Sequence, residues 1–129
     1  MEEKKIIGNK GEDMACDYLR KNGLYILKRN VRNKLGEIDI VAKEKNGTVV
    51  FVEVKTMKCE VENFLENKNY DLQPEDNMTS AKIKKFQRAC LLFLAENKNF
   101  IDEERGYRLD ALTLTISENN VVFGHYENI

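Results

Sequence analysis

The stretch Glu37-Ile38-Asp39-Ile40-Val41-Ala42-Lys43-Glu44-Lys45-Asn46-Gly47-Thr48-Val49-Val50-Phe51-Val52-Glu53-Val54-Lys55-Thr56 decides the fold. Two runs, Glu37 to Lys43 and Thr48 to Thr56, read as strands on either side of Asn46-Gly47, a strong local signal for a β-hairpin. Side chains alternate across a strand, so Glu53 and Lys55 share one face and Val50, Val52 and Val54 the other. On the preceding strand Glu37, Asp39 and Val41 are expected on one face, and Ile38, Ile40 and Ala42 on the other. Residues directly opposite in an antiparallel pair point the same way, so the register decides whether Asp39 lies beside Glu53. A three-residue loop, Lys45-Asn46-Gly47, pairs Glu44 with Thr48 and aligns the two carboxylates. A two-residue Asn46-Gly47 turn pairs Lys45 with Thr48 and separates them. The three-residue loop, ending on a left-handed glycine, is the preferred reading.

In that register two carboxylates sit side by side in a largely apolar hairpin, where each raises the pKa of the other. Positive charge must offset them. Lys55 supplies one such charge, and a hard divalent cation with oxygen ligands, Mg²⁺ above all, is another. A structural ion-pair cluster satisfies the same spacing, because an acidic-x-Lys tripeptide is common.

Toward the amino terminus, a helix is expected from about Lys10 to Asn22, stopped by Gly23. At 100° per residue Ala15, Cys16 and Leu19 form its apolar stripe, and Glu12 falls in the middle of that stripe. Two readings account for a carboxylate there. It faces the hairpin site, or it completes a capping box in which Asn9 caps the helix and Glu12 reaches back to its N–H. Leu24 to Leu27 reads as a strand, followed by the basic stretch Lys28-Arg29-Asn30-Val31-Arg32-Asn33-Lys34 and a turn ending at Gly36.

Toward the carboxyl terminus, residues 57–78 are polar and acidic, lack a sustained period and hold the single proline, Pro74; they read as a long mobile loop. A second helix is expected from Thr79 or Ser80 to about Glu96, burying Ile83, Phe86, Cys90, Phe93 and Leu94. Lys84, Lys85 and Arg88 project from its other side, and Lys82 sits at the margin in the first turn. Tyr107 to Ile116 and Val121 to Tyr126 then read as strands around a Glu118-Asn119-Asn120 turn. Asp110 beside Arg108 is expected to form an ion pair within its strand, and His125 to occupy a terminal strand without a chemical role.

A length of 129 residues fits one domain, 1–129. Hydrophobic residues at 42% and charged residues at 33% describe a globular chain, and no apolar run approaches the roughly 20 residues of a bilayer span. Met1-Glu2-Glu3-Lys4-Lys5 is no secretory signal, so the expected compartment is cytoplasmic. Three scattered cysteines and a single histidine support neither a disulfide framework nor a Cys- or His-based metal site. A formal net charge of -1 excludes bulk electrostatic binding of nucleic acid, leaving local patches: the 28–34 stretch with Arg32 and Lys34, and the second helix with Lys82 and Lys85. Charge runs are usually solvated faces, and each patch alone reads as one.

Asp39, thirteen intervening residues and then Glu53-Val54-Lys55, preceded by a helix with Glu12, resembles the active-site pattern of the PD-(D/E)XK nuclease superfamily, which includes restriction enzymes and Holliday junction resolvases. Lys10-Gly11-Glu12, Ala15, Tyr18-Leu19, Asn30-Val31-Arg32, Gly36-Glu37-Ile38-Asp39, Phe51-Val52-Glu53-Val54-Lys55, Lys82 and Arg108-Leu109-Asp110, taken in order, resemble the YraN-like family of small bacterial proteins. The resemblance implies an α/β, restriction-endonuclease-like αβββαβ core with a mixed central sheet and a helix on each face. It implies a metal, Mg²⁺ or Mn²⁺, bound by Asp39, Glu53, the Val54 carbonyl and Glu12, with Lys55 orienting or activating water. Lys82 would contact a phosphate. The implied activity is phosphodiester hydrolysis in DNA, including branched or structured DNA, with a homodimer left open. The alternative is a nucleic-acid-binding or adaptor protein that keeps the fold without efficient cleavage.

Overall fold

Glu44 and Thr48 close the central hairpin around Lys45-Asn46-Gly47. In the computed structural model, which describes residues 2–58, 79–118 and 120–129 with side chains from residue 10 onward, the Glu44 N–H donates to the Thr48 carbonyl at 2.9 Å and the Gly47 N–H to the Glu44 carbonyl at 3.0 Å. The Thr48 N–H donates to Asn46 Oδ1 at 2.9 Å. Gly47 takes φ +103°, a conformation that glycine adopts without a Cβ clash. Lys43 pairs with Val49, Ala42 with Val50, Val41 with Phe51 and Ile40 with Val52, the register that points Asp39 toward Glu53. The ladder ends there, one step short of the two carboxylates.

The elements run α1 (Glu2–Lys21), β1 (Tyr25–Asn33), β2 (Gly36–Lys43), β3 (Val49–Lys58), α2 (Ser80–Glu96), a 3₁₀ turn (Lys98–Phe100), β4 (Tyr107–Ile116) and β5 (Val121–Tyr126). The strands form one mixed sheet in the order β1-β2-β3-β4-β5, with β3 and β4 parallel and the other neighbours antiparallel. This is the expected α/β arrangement, αβββαβ extended by β5. No helix among the described residues is long and apolar enough to cross a membrane.

Alternation along β2 and β3 divides the core into two layers. Ala15, Cys16 and Leu19 of α1 pack with Ile40, Ala42, Val50, Val52, Leu112 and Leu114. Phe86, Ala89, Cys90 and Phe93 of α2 pack with Val41, Val49, Phe51 and Leu109 on the opposite face. Complete burial of a side chain such as Leu19 or Phe51 contributes about 1.5–3 kcal/mol. Thr79 caps α2, its Oγ1 accepting from the Lys82 N–H at 3.2 Å. At the end of α1, Gly23 (φ +88°) lets the Leu24 N–H reach the Leu19 carbonyl and the Gly23 N–H the Arg20 carbonyl, which satisfies two terminal carbonyls.

Four expectations need correction. Helix α1 starts at Glu2 rather than Lys10, so Asn9 is interior to it and Glu12 cannot belong to a capping box. The basic stretch is not a connector: β1 continues through it to Asn33. Met57 and Lys58 belong to β3 rather than to a loop; residues 59–78 of that expected loop, and Asn119 of the last turn, lie outside the described residues. The alternation along β2 also slips, because Ile38 packs in the α2 layer while Ile40 packs in the α1 layer.

That slip has a partner in β1. Arg29 pairs with Ile40 and Val31 with Ile38, and Asn30, between them, has φ +53°. Asparagine tolerates the left-handed region better than most residues. Arg29 reaches acidic side chains of α1, while Val31 packs in the α2 layer. Both strands therefore turn over together around Asn30 and Asp39, without losing register.

Candidate functional site

Asp39 sits where β2 has turned over and its ladder to β3 has ended. Its Oδ2 accepts the Val54 N–H at 2.8 Å, so a side-chain carboxylate binds the β3 backbone where the two strands part. Burial pushes Asp39 up to about 6; the Val54 N–H opposes the rise, and the charges of Glu12 and Glu37 add to it. Glu53 is raised further, to about 8, first by burial and then by Asp39 and Glu37, with Lys55 and Lys82 pulling the other way. Asp39 ionises first, and its charge then weighs on Glu53. Among the described residues the Glu53 carboxylate makes no hydrogen bond or ion pair.

Glu12 approaches from α1, which lies close over β3 at this point: a Cβ on Gly11 would stand 2.2 Å from Thr56 Oγ1. Glu12 is only 8% exposed, as its place in the apolar stripe required. Its partner is Arg29, whose Nε donates to Glu12 Oε1 at 3.1 Å while Nη2 donates to Asp13 Oδ1 at 2.7 Å. The bond to Asp13, then that to Glu12, holds the Arg29 guanidinium more firmly charged against the opposing effect of burial. Glu12 thus lies within electrostatic reach of Asp39 but is already paired. Among the described residues, the oxygens of Glu12, Asp39 and Glu53 are not gathered within 4.8 Å of one another.

Glu53 follows Phe51 on the α2 side and opens into a groove of about 410 Å³ between the tip of the β1–β2 hairpin and the first turns of α2. Arg32, Lys34, Lys82 and Lys85, the four cations singled out in the sequence, all line this groove, with Glu37 and Glu53 as its acidic residues. Arg32 pairs with Glu37 at 3.1 Å, both well exposed. Lys55 acts on Glu53 electrostatically without lining the groove.

A second polar constellation went unread in the sequence. Asp110, fully buried, accepts Arg108 Nε with both oxygens at 3.1 Å, the Asn128 N–H at 3.2 Å, and stands 2.8 Å from His125 Nε2. Arg108 also pairs with Glu44 and with Glu127. The strand ion pair was expected, but the role of His125 depends on its pairing with Leu112 across β4 and β5, which only the sheet discloses. Asp110, His125 and Glu127 do bring ligand atoms within 4.8 Å. The Arg108 guanidinium already occupies the Asp110 oxygens, however, and the network fastens the carboxyl-terminal tail. The Asp39 and Glu53 pair suits a hard cation better: both donors are oxygens, both resist ionisation without added positive charge, and among the described residues no hydrogen bond or ion pair engages the Glu53 carboxylate.

Comparison with known proteins bears on identity more than on chemistry. A UPF0102 protein of Caldicellulosiruptor saccharolyticus is 36% identical over 119 residues, covering 92% of this chain and 90% of the relative. One from Syntrophomonas wolfei is 32% identical over 122 residues, covering 95% of each. Among solved structures, one titled "Structure of EndoMS-dsDNA2 complex" is similar at 17% identity and a TM-score of 0.26, covering 67% of this chain and 36% of that one, a likeness too slight to support argument. The model of the family described as "Uncharacterised protein family UPF0102" matches residues 11–114, a span that takes in Glu12, Asp39, Glu53, Lys55, Lys82 and Asp110. The chain belongs to that family, the YraN-like family its motifs resemble.

Proposed function

We propose that this chain is a divalent-metal-dependent nuclease that hydrolyses phosphodiester bonds in DNA, with residues 1–129 acting as a single nuclease-like domain. The observation that carries the reading is the pair Asp39 and Glu53: two half-buried carboxylates, raised to about 6 and about 8, at the parting of β2 and β3 beside a groove with four cations. Asp39 and Glu53 would hold Mg²⁺ or Mn²⁺, with the Val54 carbonyl and Glu12 as further donors. When bound, such a cation stabilises charge developing on a phosphate and lowers the pKa of its water. The protein's own part is preparation. The Val54 N–H fixes Asp39, Lys55 favours the ionised form of Glu53, and Arg32, Lys34, Lys82 and Lys85 hold phosphates along the groove. Incubation of wild type and Asp39→Ala with Mg²⁺ or Mn²⁺ and a panel of linear, flapped and four-way DNA tests the proposal. Identical behaviour of the two proteins on every substrate would sink it.

One observation favours a second reading, a DNA-binding or adaptor protein without efficient cleavage: Glu12 is committed to Arg29, and the oxygens of Glu12, Asp39 and Glu53 are not all gathered into one cluster. Salt-dependent DNA binding that survives Glu53→Ala and Lys55→Ala, with no cleavage by wild type, would establish it.

A further inference from the structure

The β1–β2 hairpin ends in the turn Asn33-Lys34-Leu35-Gly36, which one side chain holds in place. Asn33 Oδ1 accepts the N–H of Leu35 at 3.0 Å and of Gly36 at 3.2 Å, while Asn33 Nδ2 donates to the Ala89 carbonyl of α2 at 3.0 Å. The turn lies against the helix so closely that a Cβ on Gly36 would stand 3.4 Å from the Ala89 Cβ. This fixed tip presents Leu35, 40% exposed.

An exposed leucine is unremarkable by itself. Leu35, however, lines the same groove as Arg32, Lys34, Lys82, Lys85 and Glu53. Cations in such a groove engage phosphates, which lie on the outside of any nucleic acid and carry no apolar surface. A leucine among them gains nothing from a phosphate; its favourable contact is the face of a base. In a continuous duplex those faces are covered by stacking, and reaching one means unstacking a step, at a cost of a few kcal/mol. At a flap or a boundary between single and double strand, the face of the terminal base pair is already uncovered.

We propose that Leu35 is a wedge that caps an uncovered base pair, so that the groove selects DNA with an interrupted stack over continuous duplex. The Asn33 hydrogen bonds give the wedge its rigidity, so little conformational freedom is lost when it meets the base. The binding preference stands on the groove alone, whereas its consequence for cleavage rests on the nuclease reading.

The test uses the full chain in EDTA, where binding is read without cleavage. Two duplexes of equal length are compared, one continuous and one carrying a single-stranded flap, each with 2-aminopurine, at the boundary pair in the flapped one. Wild type should bind the flapped duplex more tightly and change the 2-aminopurine emission there. Leu35→Ala should lose the emission change and reduce the preference roughly tenfold, with affinity for continuous duplex unaltered. Leu35→Met, which keeps an apolar tip, should restore both. Equal affinity of wild type for the two duplexes, absence of DNA binding, or a Leu35→Ala protein indistinguishable from wild type would each overturn the proposal. Repeating the comparison in Mg²⁺ separates the two readings. Preference without cleavage on any substrate defeats the nuclease and leaves the wedge, while cleavage by a wild type that binds the two duplexes equally defeats the wedge and leaves the nuclease.

Discussion

The Val54 N–H donates to Asp39 Oδ2 across the gap where β2 and β3 part, at 2.8 Å. Asp39 thus has a structural and an electrostatic role, and two substitutions separate them. Asparagine keeps an oxygen able to accept from Val54, whereas alanine leaves that N–H unpaired in a half-buried position. Asp39→Ala should lower stability by about 1–2 kcal/mol, measured by urea denaturation, with Asp39→Asn close to wild type. Cleavage should be lost in both. An Asp39→Asn protein that cuts DNA at the wild-type rate would remove Asp39 from the metal site.

Glu53 links stability to pH. Its pKa rises from an ordinary 4.5 in the unfolded chain to about 8 in the fold. Between these values the folded protein keeps a proton that the unfolded chain has released, so stability falls as pH rises through that window. Asp39 adds to the fall in the lower part, between 3.8 and about 6. Thermal melts in EDTA should therefore show wild type losing stability from pH 5 to pH 8, and Glu53→Gln losing less and exceeding wild type at the upper end. Mg²⁺ should reverse the trend, because it binds the ionised carboxylates and releases their protons. Parallel pH profiles for wild type and Glu53→Gln would show that Glu53 is not a raised carboxylate.

Gly11 and Thr56 set how closely α1 lies over β3. Gly11→Ala places a methyl against Thr56 Oγ1 and Cγ2, an overpacking that should cost about 1–3 kcal/mol. Thr56→Ala removes both atoms, so the double variant should recover much of the loss. A double-mutant cycle measures the coupling, and strict additivity would contradict the close approach.

The groove cations should show in the salt dependence of DNA binding. Replacing Lys82, Lys85 or Lys34 singly with alanine should weaken binding to all sequences alike and lower the slope of log K against log salt by about 1 for each phosphate that is no longer neutralised. Lys58→Ala, an exposed lysine outside the groove, is the control. Equal slopes for all the variants would place the DNA elsewhere.

Much of this architecture was legible because local chemistry and burial pointed the same way. Gly47 at the end of a three-residue loop set the register of β2 and β3, and Thr79 set the start of α2. Glu12 betrayed itself by standing among Ala15, Cys16 and Leu19. What escaped was non-local. Arg29 lies 17 residues from Glu12 in the chain, and nothing in the pattern of β1 shows that its guanidinium turns toward α1. The reversal at Asn30 and Asp39 was equally hidden, since period-two alternation assumes a strand that never turns over. Helix α1 was read too short because Asn9 can be read as an N-cap, a signal that the observed helix overrides.

The joint reversal of β1 and β2 also makes the distal arm of the hairpin a separable module. Beyond Asn30 and Asp39, each added cross-strand pair would lengthen the arm by about 3.4 Å and swap the face its tip presents. Growth by two pairs would restore the face and leave the carboxylates untouched. Members of the family can therefore differ in the reach of this arm while keeping Asp39 in place, with changes in arm length expected in even steps.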